Sequence, residues 1–123
     1  AGGGAIVVVA SQLGLVAVPD AAAYCASKGA AVNLARAMAL DHAAEGIRVN
    51  AVCPGPTDTP LVQRFFEEAG DRAATQKAFE DATAIGRLIE PSEIAEAIAF
   101  LASPRAGATV GAALVVDAGY TTK

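Results

Sequence analysis

Apolar positions fall along the chain in three strand-like runs and two helical ones. "AIVVVAS" (5–11) is short, β-branched and apolar on both faces, the pattern of a strand buried in a parallel sheet. "IRVNAVC" (47–53) is a second such run and "GAALVVDAG" (111–119) a third. From about Ala22 to Ala44 apolar residues recur at helical spacing and go nearly all the way round, through Val32, Leu34, Ala35, Met38, Ala39 and Leu40. A helix of that kind is covered on more than one side. Another helix is predicted to start near Pro91 within "GRLIEPSEIAEAIAFLAS" (86–103), because proline suits the first helical turn. Its apolar face is Ile94, Ala95, Ile98, Ala99 and Leu101. Gly14, Pro19 and Asp20 break the chain after the first strand, and Gly46 ends the long helix. The prolines of "PGPTDTPL" (54–61) lack a backbone donor and are expected to stop the second strand. Residues 61 to 83 are charged and less regular; they read as helical, and as a mobile flap. The order β-α-β-α-α-β predicts an α/β fold, a single domain over 1–123 with three parallel strands joined by right-handed helical crossovers.

Composition narrows the partners. Of 123 residues 54% are hydrophobic and only 5% aromatic, which predicts a core of Ala, Val, Ile and Leu. Thirteen acids against nine bases leave a net charge of -4, and the bases are scattered singly. That excludes a nucleic-acid or anionic-membrane surface. No apolar run approaches the ~18 residues of a membrane span, and no signal peptide is visible. Cys25 and Cys53 are too few for a disulfide framework or a zinc site. They read as small core fillers, reduced thiols of a cytoplasmic protein with no metal centre. His42, the one histidine, has no companion and is placed on the surface.

Candidate chemistry centres on "AYCASKGAAVNLARAMAL" (23–40), where a tyrosine precedes a lysine by four positions. Tyr24 and Lys28 therefore sit one above the other on a helix. A cation beside a phenol favours the phenolate and makes Tyr24 a candidate acid/base. Ser11 lies thirteen positions upstream, at the end of the first strand, and a Pro-Gly turn follows the second. In open α/β sheets the ligand crevice lies outside the carboxyl ends of the strands. Ser11, the start of the Tyr24 helix and the 54–60 loop are thus expected to converge. Gly2 to Gly4 precede a strand, whereas a dinucleotide phosphate loop follows one, so these glycines are not a phosphate cradle. Asp58 and Asp117 have no second acid near them in sequence and read as structural, Asp58 as a stabiliser of its turn.

Five blocks in order carry a resemblance: "VAS" ending at Ser11, "YCASK" at 24–28, "GIRVNAVCPGPTDTPL" at 46–61, "GRLIEPSEIAEAIAFLAS" at 86–103 and "GAALVVDAGYT" at 111–121. The chain resembles the C-terminal half of a short-chain dehydrogenase/reductase, over nearly every residue outside the flap. The resemblance implies half of a Rossmann-like, doubly wound parallel sheet, with NAD or NADP as cofactor and a small carbonyl or alcohol as substrate. It implies that Tyr24 gives or takes the proton of the substrate oxygen. Lys28 would support the phenol and bond the nicotinamide ribose, and the Ser11 hydroxyl would hold the substrate oxygen. Pro54, Gly55, Thr57 and Thr59 match the turn that lines the nicotinamide and its adjoining phosphate. The 61–83 segment matches the flap that closes over substrate. Val8 stands where many relatives carry Asn, and "DAG" at 117–119 replaces "DGG".

The phosphate-binding loop and the residue that selects NAD or NADP belong, in that family, to an N-terminal half outside these residues. The chain alone is accordingly expected to bind dinucleotide poorly and to expose an apolar edge at 5–11. Homo-oligomers through the long helix and the last helix and strand are implied too. Two other classes stand beside the oxidoreductase: a non-catalytic fragment or assembly module, and a hydrolase using Ser11 as nucleophile with Tyr24 and Lys28 as base. The hydrolase has against it the absence of a Gly-x-Ser-x-Gly elbow.

Overall fold

The structure, a computed structural model, describes residues 2–123. Three strands, β1 (Gly4–Val9), β2 (Ile47–Pro54) and β3 (Ala113–Val116), form one parallel sheet in the order β1-β2-β3. The register places Val9 beside Val52 and Pro54 beside Val116. Between β1 and β2 runs α1 (Ala22–His42); between β2 and β3 run α2 (Pro60–Glu68), α3 (Arg72–Asp81) and α4 (Pro91–Ala102). The α/β class and the three parallel strands are as the sequence predicts.

β2 is the central strand, and Val49 through Cys53 are buried without a break. One of its faces, carrying Val49, Ala51 and Cys53, packs on Val32, Ala35 and Ala39 of α1. Alanines at that contact let the helix sit close to the sheet, and the core is small-residue and dense. The buried Cys53 thiol is pushed up from its ordinary pKa, chiefly by burial, and Cys25 is half-buried. The other face of β2 is tied to α4 by Arg48, whose guanidinium donates to the Leu101 and Ser103 carbonyls, both at 3.0 Å. Those carbonyls end a helix and have no partner within it, so a fixed fork of donors from the sheet closes that terminus.

Four expectations change. β1 stops at Val9, because beyond Ala10 the chain turns into a short 3-10 segment, Gln12–Gly14. Pro54 joins β2 after all: the β1 ladder has already ended at Val52, so its missing N–H costs no bond on that side. The 61–83 segment is two helices rather than one, with Thr59 and Asp71 as separate N-caps, so the order is β-α-β-α-α-α-β. Phe66, fully buried, packs edge-on to Phe79 with ring centroids 5.1 Å apart, an aromatic joint between α2 and α3 that the low aromatic content did not suggest. Finally, α1 is covered on one side only within this chain; Leu34 and Leu40 are 55% and 83% exposed. His42 is partly exposed and bonds Glu45 at 2.7 Å.

A latch holds the start of α4. Arg87 donates through both terminal nitrogens to Glu93, at 2.8 and 2.9 Å, and the Glu93 carboxylate also accepts the Glu90 N–H at 2.8 Å. Arg87 and then the Glu90 N–H pull the Glu93 carboxyl from an ordinary value of 4.5 to about 2. A depressed carboxylate pKa adds stability above the unfolded value, and that stability is lost as pH falls through the folded one. Wild type should therefore melt above Glu93→Gln near neutral pH. The gap should narrow below pH 4.5 and close near pH 2 when melting is followed by circular dichroism. A gap independent of pH would mean the charge contributes nothing.

Candidate active site

β1 and β2 end side by side, and each releases a turn at its carboxyl end. Ser11 has an extended backbone (φ -167°) and caps the Gln12–Gly14 segment, its Oγ accepting the Leu13 N–H at 3.1 Å. That bond fixes the hydroxyl as an acceptor and leaves its own proton to donate elsewhere. Gly14 lies against α1 so closely that a Cβ there would stand 2.7 Å from the Lys28 carbonyl oxygen. Absence of a side chain thus allows the turn after β1 and the second turn of α1 to meet. Lys28 Nζ donates to the Val9 carbonyl at 3.4 Å and lies 5.7 Å from the centre of the Tyr24 ring. Tyr24 itself is 49% exposed.

The turn after β2 is pinned from two sides. Gly55 donates to the Val116 carbonyl at 2.9 Å, and a Cβ on it would stand 2.6 Å from Asp117 Cα. Thr57 pairs with Ile89, the Asp58 N–H donates to the Ile89 carbonyl and the Ile89 N–H to the Pro56 carbonyl, both at 2.8 Å. Thr57 Oγ1 donates to the Gly55 carbonyl at 2.9 Å, and Thr59 Oγ1 accepts the Val62 N–H at 3.3 Å as the cap of α2. Ser11, Tyr24, Lys28, Pro54, Gly55, Thr57 and Thr59 all line one cavity of about 480 Å³. Its remaining walls include Leu61 and Val62 of α2, Phe79 of α3 and Ile94 of α4. A volume in that range, with apolar walls and a few convergent polar groups, is what small-molecule sites have.

The two aspartates serve structure. Asp58 accepts from Gln63 Nε2 at 2.7 Å, fastening α2 rather than closing its own turn. Asp117 accepts the Gly119 and Thr121 N–H groups and the Thr121 hydroxyl, at 3.0, 2.8 and 2.6 Å. Burial opposes its charge, but the Thr121 and Gly119 donors outweigh burial and hold its carboxyl below the usual range. Ala118 of "DAG" sits at φ 55°, in the left-handed region that favours glycine, at a cost of roughly 1 kcal/mol. Val8 packs against the core cluster, so an apolar side chain fits there. Sequence reasoning passed over Gln12, which is buried and lines the cavity; its one visible signal was its place directly after Ser11.

A family profile described as enoyl-(acyl carrier protein) reductase matches residues 1–121. A short-chain dehydrogenase family protein from Francisella tularensis superposes with a TM-score of 0.93 at 35% identity, over 97% of this chain and 51% of that one. The chain belongs to the short-chain dehydrogenase/reductase family. It is 52% identical over 121 residues to the cis-4-hydroxycyclohexanecarboxylate dehydrogenase of Sinomonas cyclohexanicum, covering 98% of this chain and 46% of that protein. An actinorhodin polyketide ketoreductase solved with NADPH superposes with a TM-score of 0.92 at 37% identity, over 99% of this chain and 49% of that one. The chain therefore spans about half the length of these relatives.

Proposed function

We propose that this chain supplies the nicotinamide and substrate half of an NAD(P)-dependent oxidoreductase acting on a small carbonyl or alcohol. The single observation that supports it best is the convergence of Ser11, Tyr24 and Lys28 with the 54–59 turn on one cavity. The residues present suit a nicotinamide group. Gly55 lines the cavity wall, and the Lys28 ammonium and Thr59 hydroxyl line the same cavity as hydrogen-bond donors. A nicotinamide cofactor, when bound, supplies or accepts the hydride.

In the direction of reduction, the Ser11 hydroxyl donates to the carbonyl oxygen and polarises it. Tyr24 would give its phenol proton to that oxygen, which with the hydride a bound cofactor would supply makes the carbonyl an alcohol. Lys28, a cation less than 6 Å from the Tyr24 ring, stabilises the phenolate that remains. Because the Ser11 oxygen bonds the Leu13 N–H and no base, a nucleophilic role in hydrolysis has less support than a donor role.

Pro54, Gly55, Thr57 and Thr59 would line the cofactor, and α2 and α3 over 61–83 would form the flap that shapes the substrate space. The exposed Leu34 and Leu40 on α1 suit contact with a second copy of the chain. The test is oxidation of NADH or NADPH by a panel of ketones and aldehydes with the full-length protein, followed by loss of reduced-nicotinamide absorbance. Carbonyl-dependent oxidation with one cofactor preferred is expected. No turnover with either cofactor, in either direction, would count against the proposal.

A further inference from the structure

The cavity that holds Ser11, Tyr24 and Lys28 has neighbours. A recess of about 310 Å³ adjoins it, and Leu13, Pro56 and Phe79 are walls of both. Past the recess lies a third space of about 300 Å³, and Ala82 and Tyr120 are walls of those two. The three spaces follow one another, with Phe79 bordering the first pair and Tyr120 the second.

Both rings are held in place. Phe79 packs edge-on to the fully buried Phe66, with 5.1 Å between ring centroids. Tyr120 opens the short 3-10 turn Tyr120–Thr122, and its N–H donates to the Asp117 carbonyl at 3.1 Å. The Asp117 carboxylate accepts the N–H groups on either side of it, from Gly119 and Thr121. The backbone that carries the Tyr120 ring is thus pinned at three points.

The chemistry of the walls changes along the series. The first space carries the hydroxyls and the ammonium of the reacting centre. In the recess every lining side chain apart from Gln12 and Tyr120 is hydrocarbon, and none among the described residues is charged. The third space is polar again, with Thr121 and Lys123 beside Val16. Hydrocarbon gains by entering such a recess, each buried methylene being worth about fourfold in affinity. A charged group there would lose its water and find no partner.

We propose that the substrate carries an uncharged hydrocarbon arm on its carbonyl carbon, that this arm lies in the recess past Phe79, and that the Tyr120 ring limits its length. This rests on the oxidoreductase reading above. Arm carbons gain burial as far as Tyr120, and carbons beyond that point meet the ring or turn back to water.

The experiment follows reduction of straight-chain 2-ketones, from 2-butanone to 2-dodecanone, by the full-length protein with reduced cofactor. In wild type kcat/KM should rise by about tenfold or more from 2-butanone to 2-octanone and stop rising within the series. Tyr120→Ala joins the recess to the third space and should move the maximum to a longer ketone. Tyr120→Phe keeps the ring and should leave the maximum where it is. Ala78→Leu narrows the recess from α3 without touching Tyr120, and should hold the gain from 2-butanone to 2-octanone within about threefold. A maximum that Tyr120→Ala leaves in place overturns the proposal, as does one that Tyr120→Phe moves equally far. Should Tyr120→Ala fail to fold, Ala78→Leu decides, and a full gain retained in that variant overturns the proposal. A wild type indifferent to arm length also overturns it and leaves the oxidoreductase reading intact. Turnover of none of these ketones overturns it too, and if no other ketone or aldehyde is reduced either, the oxidoreductase reading falls with it.

Discussion

Tyr24→Phe in the full-length protein is expected to cut carbonyl-dependent oxidation of the reduced cofactor by about a hundredfold or more, the contribution of a well-placed general acid. The substitution keeps the ring and removes one oxygen. Tyr24 is half-exposed at the start of α1 and its ring stands beside Lys28 Nζ, so helix and cavity wall should survive the change. No other phenol lines the cavity, and the Ser11 proton is better suited to hydrogen-bonding the substrate than to leaving. A hundredfold corresponds to about 2.7 kcal/mol of barrier, and the loss should fall mainly in kcat. Steady-state kinetics at saturating cofactor measure it. A loss of less than about tenfold, ~1.4 kcal/mol, would remove Tyr24 from the proton-transfer role.

Asn50→Leu is expected to cost about 3 kcal/mol of stability, although Asn50 does not line the cavity and touches nothing reactive. Leucine matches the side chain in size but leaves the Thr109 carbonyl and the Ala112 N–H buried without partners, each worth about 1–3 kcal/mol. These two groups lie in the segment that delivers β3, which pairs with the end of β2 beside the Gly55 turn. The melting temperature should drop by roughly 10 °C for a domain of this size. Urea denaturation provides the free energy directly. A loss below about 1 kcal/mol would mean that the 109–112 segment finds other partners or gives up its fold at little cost.

Strand and helix periods were legible because they are local. "AIVVVA" and the 22–44 pattern state their own geometry, and the Tyr24–Lys28 spacing places two groups on one helix face before any tertiary contact exists. The site residues on strand ends were legible for a related reason: a parallel sheet brings the carboxyl ends of its strands to one side, so Ser11 and the Pro54–Gly55 turn had to meet. What escaped was non-local. Asn50 takes partners 59 and 62 positions away, and nothing in "IRVNAVC" distinguishes an amide that ties a distant loop from an exposed one. Gln12 sits in a loop with no period, and its burial depends on a glycine 43 positions further on. The double helix at 60–81 was blurred by charge: its structure is carried by the caps Thr59 and Asp71 and the Phe66–Phe79 contact, signals of a few residues rather than a long apolar stripe.

The measurement that bears most directly on the account is a crystal structure of the full-length protein with NAD or NADP bound. The nicotinamide ring is expected inside the 480 Å³ cavity, against the Pro54–Gly55 turn, with Lys28 Nζ bonded to its ribose and the Tyr24 hydroxyl and Ser11 Oγ facing one substrate oxygen position. A nicotinamide bound elsewhere, or one that leaves Tyr24 and Lys28 out of hydrogen-bond reach, would contradict it.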